Sequence, residues 1–538
     1  MTSAAQPSKP ASATPTLVEA SDVTQSGWRN RIEVLLDRAS EQLNPILIKE
    51  ARQALKSRQF VITFSLLLGC GWAWSLLGVA LLSPGVYFAP GGRFMLVGYF
   101  IVLAVPVLLV VPYTAFRSLA SEREDGTFEL LSITTLSARQ IVTGKLGSAT
   151  IQMLVYYSAL APCIAFTYLL RGVDILTILF VLFATFFASV LLSSAGLVIG
   201  TLTQARHWQV VLAVLLLVAL LTVTIVWCVL FIQVIAAGES LPFDQSEFWT
   251  IMAAVVTIAG SFLLLFVFVA AAQIRFASDN RSTRLRIVML FQQVLWIGWM
   301  MYFWIDFQGD EILYALVSVA SLYWFAVGSL LMGETAPLSP RVRRSLPQSF
   351  LGRTMFTWFN PGSGTGYVFA VTNLMALVVL AIVANAIAVN AGRPGADGDW
   401  VLFTLMATGY VAAYLGVARL LVLLFRRIGQ TGLFLSFLIA MFLAVLGAAL
   451  PAILQAWQQG YGRLVYSVFQ TTNWVWTLAE CDSGSYFVVS SGVPFIVLGG
   501  ATAIFVLNLV FARFEVEQVR QETPARVLAD PSNRRWIS

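Results

Sequence analysis

Charge is scarce in this chain. Asp, Glu, Lys and Arg make up only 11% of its 538 residues, where a soluble protein carries roughly 25%. Histidine occurs once, at His207, after Gln204-Ala205-Arg206; this leaves no His-based metal cluster or proton relay and reads as a solvated residue at a membrane surface. There are four cysteines. Cys70, Cys163 and Cys228 fall inside apolar runs, where a thiol serves as a small packing residue. Cys481 has no evident partner on its side, so no structural disulfide is expected. A phosphate-cradling loop is also missing: at Gly144-Lys145, Arg139 stands where the first glycine of G-x-x-x-x-G-K-[ST] belongs, and Leu146 where its hydroxyl belongs. Carboxylates are absent from the depths of the apolar runs, with Asp174, Asp306 and Glu311 at outer edges. That argues against a proton-coupled carrier. No convergent set of polar groups marks an embedded enzyme.

What is present is apolar length. Hydrophobic residues make up 58% of the chain and aromatics 13%, and the mean hydropathy is +0.81. Crossing ~30 Å of hydrocarbon takes about 20 apolar residues. Twelve runs meet that need, near 60–82, 94–116, 149–170, 175–201, 208–235, 249–273, 287–305, 312–332, 367–389, 400–424, 433–456 and 488–512. Only helices or closed barrels cross, and these lengths are helical. The fold class is therefore an all-α polytopic membrane protein of about twelve transmembrane helices. With the N-terminus in the cytoplasm, all but four of the 33 Lys and Arg residues fall on the cytoplasmic side; Arg93, Arg171, Arg393 and Arg463 are the exceptions. This is the positive-inside pattern. It places both termini in the cytoplasm and accounts for the net charge of +6 without any nucleic acid.

Residues 1–30, rich in Ala, Ser, Pro and Thr at their start, have no apolar core and read as a disordered cytoplasmic tail rather than a signal peptide. Residues 31–58 form an amphipathic interface region. Ile32, Leu35, Leu36, Ala39 and Leu43 share one helical face. Asn44-Pro45 then supplies a cap and a first-turn proline. A second helix follows, with Ile46, Leu47, Ala51, Ala54 and Leu55 on one side and Lys49, Arg52, Gln53 and Lys56 on the other, Glu50 between them. Such a helix lies in the membrane interface, either as a plain juxtamembrane anchor or as a wedge between lipid and a partner.

The one segment that lipid burial does not explain is 117–148. Four acids (Glu122, Glu124, Asp125, Glu129) share it with four bases (Arg117, Arg123, Arg139, Lys145). Ser121-x-x-Glu124 and Ser137-x-x-Gln140 both have capping-box spacing, and Gly126 permits a sharp break between them. This predicts a short helix, a turn, another short element, and then the helix rising into the span at 149–170. Phe128, Leu130, Leu131 and Ile133 are apolar in a polar setting and need a surface to cover them. A self-packed loop with topogenic charges is the plainer alternative.

Taken in order, these residues resemble the cytoplasmic coupling loop of type-2 ATP-binding-cassette exporter permeases. Glu122 and Glu124 match the opening acids, Gly126-Thr127 the glycine-threonine, Glu129-Leu130-Leu131 the Glu-Leu-Leu, Leu136-Ser137 the Leu-Ser, and Gly144-Lys145 the closing pair. Thr135 stands where that family commonly has proline. The wording Asn44-Pro45 through Gln53, with Lys49, Glu50 and Arg52, is similar to the start of many such permeases. The match covers about residues 44–275. The resemblance implies a permease subunit with no cofactor of its own, served by a separate cytoplasmic ATPase that carries ATP and Mg. It also implies a plasma (inner) membrane location, acids and Lys145 that set docking register, and a second permease chain unless one chain forms the whole pore. A secondary transporter or channel without an ATPase is the alternative.

The spans then divide as a first six-span half, 59–286, and a second, 287–512, before a cytoplasmic tail at 513–538. The basic, proline-rich loop 333–366 occupies the place of a second coupling loop, though linker arginines explain it equally well. The longest outer segment, 457–487, carries Tyr461, Tyr466, Phe469, Trp474, Trp476 and Tyr486. It reads as an interfacial aromatic belt or, as in type-2 exporters, a re-entrant outer gate. Gln152, Asn373, Asn385, Gln455 and Asn508 lie within spans and serve either a pathway or interhelical hydrogen bonds.

Overall fold

The computed structural model describes residues 44–83, 90–124, 137–202, 206–237, 241–275, 279–307, 309–335, 357–392, 395–429, 432–458, 465–483 and 492–520. Helix α1 (Pro45–Leu55) precedes the first span, α2 (Arg58–Leu82). The second span, α3, runs as Gly92–Ala104 and Val111–Glu124, joined by π-helical Val105–Val110. Then come α4 (Ala138–Leu169), α5 (Ile175–Thr201), α6 (Arg206–Ala237) and α7 (Ser246–Ile274). The second half holds α8 (Ser282–Phe307), α9 (Glu311–Leu331), α10 (Ser363–Asn390), α11 (Gly398–Phe425) and α12 (Leu433–Gln458). A short α13 (Trp474–Asp482) and the last span, α14 (Val493–Arg520), complete it. Twelve of these helices are long and apolar enough to cross a membrane, and no strand occurs among the described residues. The chain is an all-α, multi-pass membrane protein.

Hydropathy alone misplaces several helix ends. α4 begins at Ala138, not near 149, and α3 continues to Glu124. Most of the polar segment 117–148 is thus helix, and Ser121 lies inside α3 rather than capping a new helix. The last span starts at Val493 and runs on to Arg520, taking in the first residues expected to form a tail. In each case polar residues prolong a helix into water, where backbone bonds are satisfied without an apolar side chain.

The two halves repeat one another in packing. In the first, α3 packs on α2, α4, α5 and α6; α5 packs also on α4, α6 and α7; and α4 on α7. In the second, α9 packs on α8, α10, α11 and α12; α11 packs also on α10, α12 and α14; and α10 on α14. These are the same eight pairs, position for position. Among the spans of each half, only the contact between α2 and α4 lacks a counterpart of similar extent. Two apolar clusters dominate the core, one from Ile46 to Ile274 and another that reaches from Leu265 of α7 to Ala512. The halves meet where α7 packs on α8, with Trp208 of α6 edge-on to Phe434 of α12 at 5.4 Å. Six spans is an even number, so both halves enter the bilayer from the same side, as parallel repeats do.

The hub of the first half, α3, carries a π segment for a local reason. Pro106 and Pro112 have no N–H. In the i to i+5 register of Val105–Val110, the carbonyl of Val107 would look to residue 112, which is proline. Ser189 of α5 supplies the missing donor, its hydroxyl donating to Val107 O at 2.5 Å. Lipid offers no water to do this. Further along α5, Gly196 and Gly200 bring the two backbones together. A Cβ on Gly196 would lie 2.7 Å from Pro112 O, and one on Gly200 2.9 Å from Phe116 O. Backbone does not yield as a flexible side chain does. Gly196→Val is therefore expected to cost about 1–3 kcal/mol through overpacking, read as a lower melting temperature of the purified chain in detergent. Gly499→Val, on an open face of α14, should leave it unchanged.

Candidate functional site

The residues flanking the polar loop assemble into a polar knot. α1 begins at Asn44, whose Oδ1 accepts from Ile46 N at 3.2 Å, with Pro45 in the first turn. Ile46 and Ala51 are buried, while Lys49 and Arg52 face outward. α4 begins at Ser137 with a full capping box: Gln140 N donates to Ser137 Oγ at 3.3 Å, and Ser137 N to Gln140 Oε1 at 2.9 Å. Asn44 Nδ2 donates to the carbonyl of Gln140, tying the two helix starts together. Glycine makes room for this contact. A Cβ on Gly144 would sit 2.9 Å from Ile46 Cγ2, and one on Gly147 2.7 Å from Leu47 Cδ1.

Lys145 lies at the centre, 4% exposed. Its ammonium donates to Glu122 Oε1 at 2.8 Å, Glu50 Oε1 at 3.2 Å and the carbonyl of Ser118 at 3.2 Å. All three ammonium protons are thus used. One cation joins α1 to the end of α3 and the start of α4, the two helices that bracket the loop. The sequence pattern predicts that Lys145 and Glu122 reach for a partner protein; the structure turns Lys145 inward and pairs Glu122 with it. Glu124 ends α3. Gly126, Thr127, Glu129, Leu130, Leu131 and Leu136 lie outside the described residues, as does 336–356 of the second long loop.

Two further ion pairs lie near helix ends in the second half. Just after α9, Glu334 accepts from Arg286 Nη2 of α8 at 2.6 Å and from Ser282 Oγ at 2.7 Å. Arg286 Nη1 also donates to Trp358 O. Glu334 follows the second helix of its half, as Glu122 lies in the last turn of the second helix of the other. Arg419, wholly buried in α11, donates to Asn508 O at 2.8 Å, to Asn508 Oδ1 at 2.9 Å and to Glu515 Oε1 at 3.0 Å. Glu515 in turn accepts from Ser363 Oγ at 2.8 Å and Gly364 N at 2.7 Å, at the start of α10. A carboxylate there complements the free N–H groups of a helix N-terminus. Arg426, just beyond α11, donates to Met332 O at 3.0 Å and Glu334 O at 2.9 Å, closing the end of α9. Burial holds its guanidinium below the ordinary range, which Glu515 partly opposes.

On the opposite side the aromatic segment does not lie flat at the interface. Residues 468–472 form a 3-10 turn leading into α13. The Trp474 indole donates to Ala444 O at 3.0 Å, at the middle of Leu433–Gln458. Tyr410, at the middle of α11, donates to Thr471 O at 2.6 Å. The segment therefore dips to mid-span and returns, the re-entrant arrangement rather than the belt. Buried Gln455, Gln470, Asn473 and Thr477 pin it: Gln455 Nε2 donates to Val465 O at 2.7 Å, and Asn473 Nδ2 to Gln470 Oε1 at 3.0 Å. Tyr461 and Tyr486 lie outside the described residues.

Comparison with protein-family models, with curated proteins and with solved structures finds no match for this chain.

Proposed function

We propose that this chain is the membrane-spanning permease of an ATP-driven exporter of the type-2 ATP-binding-cassette class, working with a separate cytoplasmic ATPase. The observation that carries the reading is the Lys145 knot. It binds the amphipathic helix rigidly to both helices flanking the loop with the coupling-loop motif. A push on that loop would then move α1, α3 and α4 together, and α3 is the packing hub of its half. The repeated helix neighbours support a single chain supplying both halves of the translocation unit. The halves are specialised, the first by its interface helix and the second by its re-entrant segment. In this reading the loop side faces the cytoplasm, both termini are cytoplasmic, and the membrane is the plasma (inner) membrane.

The test addresses the loop itself. Glu129→Arg and Leu130→Asp lie outside every span and should leave insertion intact while abolishing co-purification of the ATPase. Removing one partner from a desolvated charge contact costs about 2–5 kcal/mol, enough for at least a thirtyfold loss of partner. Retention of the partner and of transport by both variants would make the loop a solvated connector and remove the main support of the proposal, whereas absence of any ATPase from the unaltered chain's preparation would favour a secondary transporter or channel.

A further inference from the structure

Three arginines from three helices gather where the halves meet, at the end of α7 on the same side as the Lys145 knot. α4 packs on α7, and α7 on α8. Arg139, second residue of α4, lays its guanidinium over the Phe268 ring of α7 at 4.3 Å. Two turns further along, Arg275 caps the end of α7. Arg281, just before α8, donates from Nη2 to the carbonyl of Arg275. Arg284 stands exposed in the first turn of α8.

This cluster lacks its counter-charge. Burial, then the like charges of Arg284 and Arg139, hold the Arg275 guanidinium below the ordinary range, and Asp279 opposes them. Arg275 is thus the point on which the other two converge. Among the described residues, none of the three forms an ion pair. Asp279 also acts on Arg281, and Glu334 is engaged by Arg286 and Ser282. A cation at the C-terminal end of α7 suits the helix dipole, but Arg284 at the start of α8 opposes it. An anion bound from outside would offset both the repulsion and the dipole.

The surroundings select the anion. Arg284 heads a face of α8 that continues through Ile287, Phe291 and Val294, 48%, 58% and 68% exposed, the spacing of one helical stripe turned to lipid. Arg139 rests on a half-buried aromatic ring, a cation held against an apolar wall. A soluble anion would use the charges and leave the stripe bare. We infer that this is a site for an anionic phospholipid, its phosphate held by Arg139, Arg275 and Arg284 and its acyl chains along Ile287, Phe291 and Val294. Guanidinium forks match phosphate oxygens, and basic pockets between spans take such headgroups. A zwitterionic lipid brings its own ammonium into the cluster and is disfavoured. The bound lipid would staple the halves together, since Arg139 and Arg275 belong to the first and Arg284 to the second. Binding needs no ATPase and stands apart from the exporter reading.

The test is native mass spectrometry of the purified full chain in detergent, with phosphatidylglycerol and phosphatidylcholine of the same acyl chains in equal amounts. Phosphatidylglycerol should be retained at least about tenfold more. Arg139→Gln, Arg275→Gln and Arg284→Gln should each lower that retention about fivefold, and the three together should abolish the preference. Arg513→Gln, which alters an exposed cation near the end of α14, should have no effect. In lipid-free detergent Arg284→Gln should melt no lower than the parent, because it relieves like-charge repulsion. With phosphatidylglycerol added the parent should melt higher, which a purely structural role would not produce. Equal retention of the two lipids, or a preference that survives the triple variant, would overturn the site. Displacement of the lipid by a large excess of inorganic phosphate would overturn it in favour of a soluble anion. Loss of a co-purifying protein from the triple variant, with the lipid preference intact, would give the face to that protein instead.

Discussion

Arg419→Met is expected to lower the melting temperature of the purified chain by roughly 10 °C, a larger loss than overpacking at Gly196 would bring. The guanidinium is fully buried and reaches three groups on two other spans: Ser363 of α10, and Asn508 and Glu515 of α14. Without it, Glu515 keeps only Ser363 and Gly364 as donors, and the Asn508 main-chain and side-chain oxygens both lose theirs. Breaking a buried ion pair by removing one partner typically costs about 3–5 kcal/mol. A unit of about 150–250 residues loses about 2–4 °C per kcal/mol, which gives the expected shift. Arg419→Lys should fall between, because one ammonium cannot span the fork of acceptors. The double variant Arg419→Met/Glu515→Leu should recover part of the loss, since it leaves no uncompensated charge. A single variant that melts within about 2 °C of the parent would show that the pair does not hold α10, α11 and α14 together.

That pair also marks the limit of what sequence carries. The twelve spans are legible because each is a long apolar run, and lipid burial leaves little else such a run can be. Arg419 is equally visible as a cation within a run, but near a span end it passes for one more topogenic charge. An ionisable residue inside a span calls for a partner, and that demand leads to the carboxylates beyond neighbouring span ends. The partner itself is not legible. Lys145 and Glu50 stand 95 residues apart, Arg286 and Glu334 48, and Arg419 and Glu515 96. No local pattern spans such distances. Ser137 is the opposite case: its capping box with Gln140 is readable, and it marks the start of α4 better than hydropathy does.

The internal repeat is legible only as a count of six and six. What makes it a repeat is the shared set of helix neighbours, and that depends on which faces interlock rather than on composition. Each half is also held by its own residues at different helix pairs. In the first, small residues and a relieved carbonyl bring α3 and α5 together. In the second, Asn508 Nδ2 donates to Gly416 O at 3.2 Å and Tyr367 OH to Ala412 O at 2.9 Å, joining α11 to α14 and α10. Two packings built from unlike side chains leave little trace in sequence. The re-entrant segment is legible as an aromatic excess alone, since a Trp at an interface and a Trp hydrogen-bonded at mid-span look the same before the backbone is placed.

Lys145→Met is expected to free α1 from the bundle while leaving the spans folded. The variant leaves Glu50 and Glu122 facing one another around a methionine, two half-buried carboxylates with no cation between them. At about 3–5 kcal/mol for a broken buried pair, local opening of α1 becomes at least a hundredfold more frequent. Local opening governs amide exchange where a segment unfolds by itself. Hydrogen–deuterium exchange should therefore show residues 45–55 losing protection by at least that factor, with α10 and α11 unchanged. Lys145→Arg should retain most of the protection, its fork reaching the two carboxylates though not all three acceptors equally. Unchanged exchange in residues 45–55 would remove the mechanical link on which the exporter reading rests. If exchange rises as expected, the same variant separates holding a partner from responding to it. Glu129→Arg should lose the ATPase outright. Lys145→Met should keep it, because the loop surface is untouched, and yet transport should fall at least tenfold, because the push on the loop no longer carries α1 with α3 and α4.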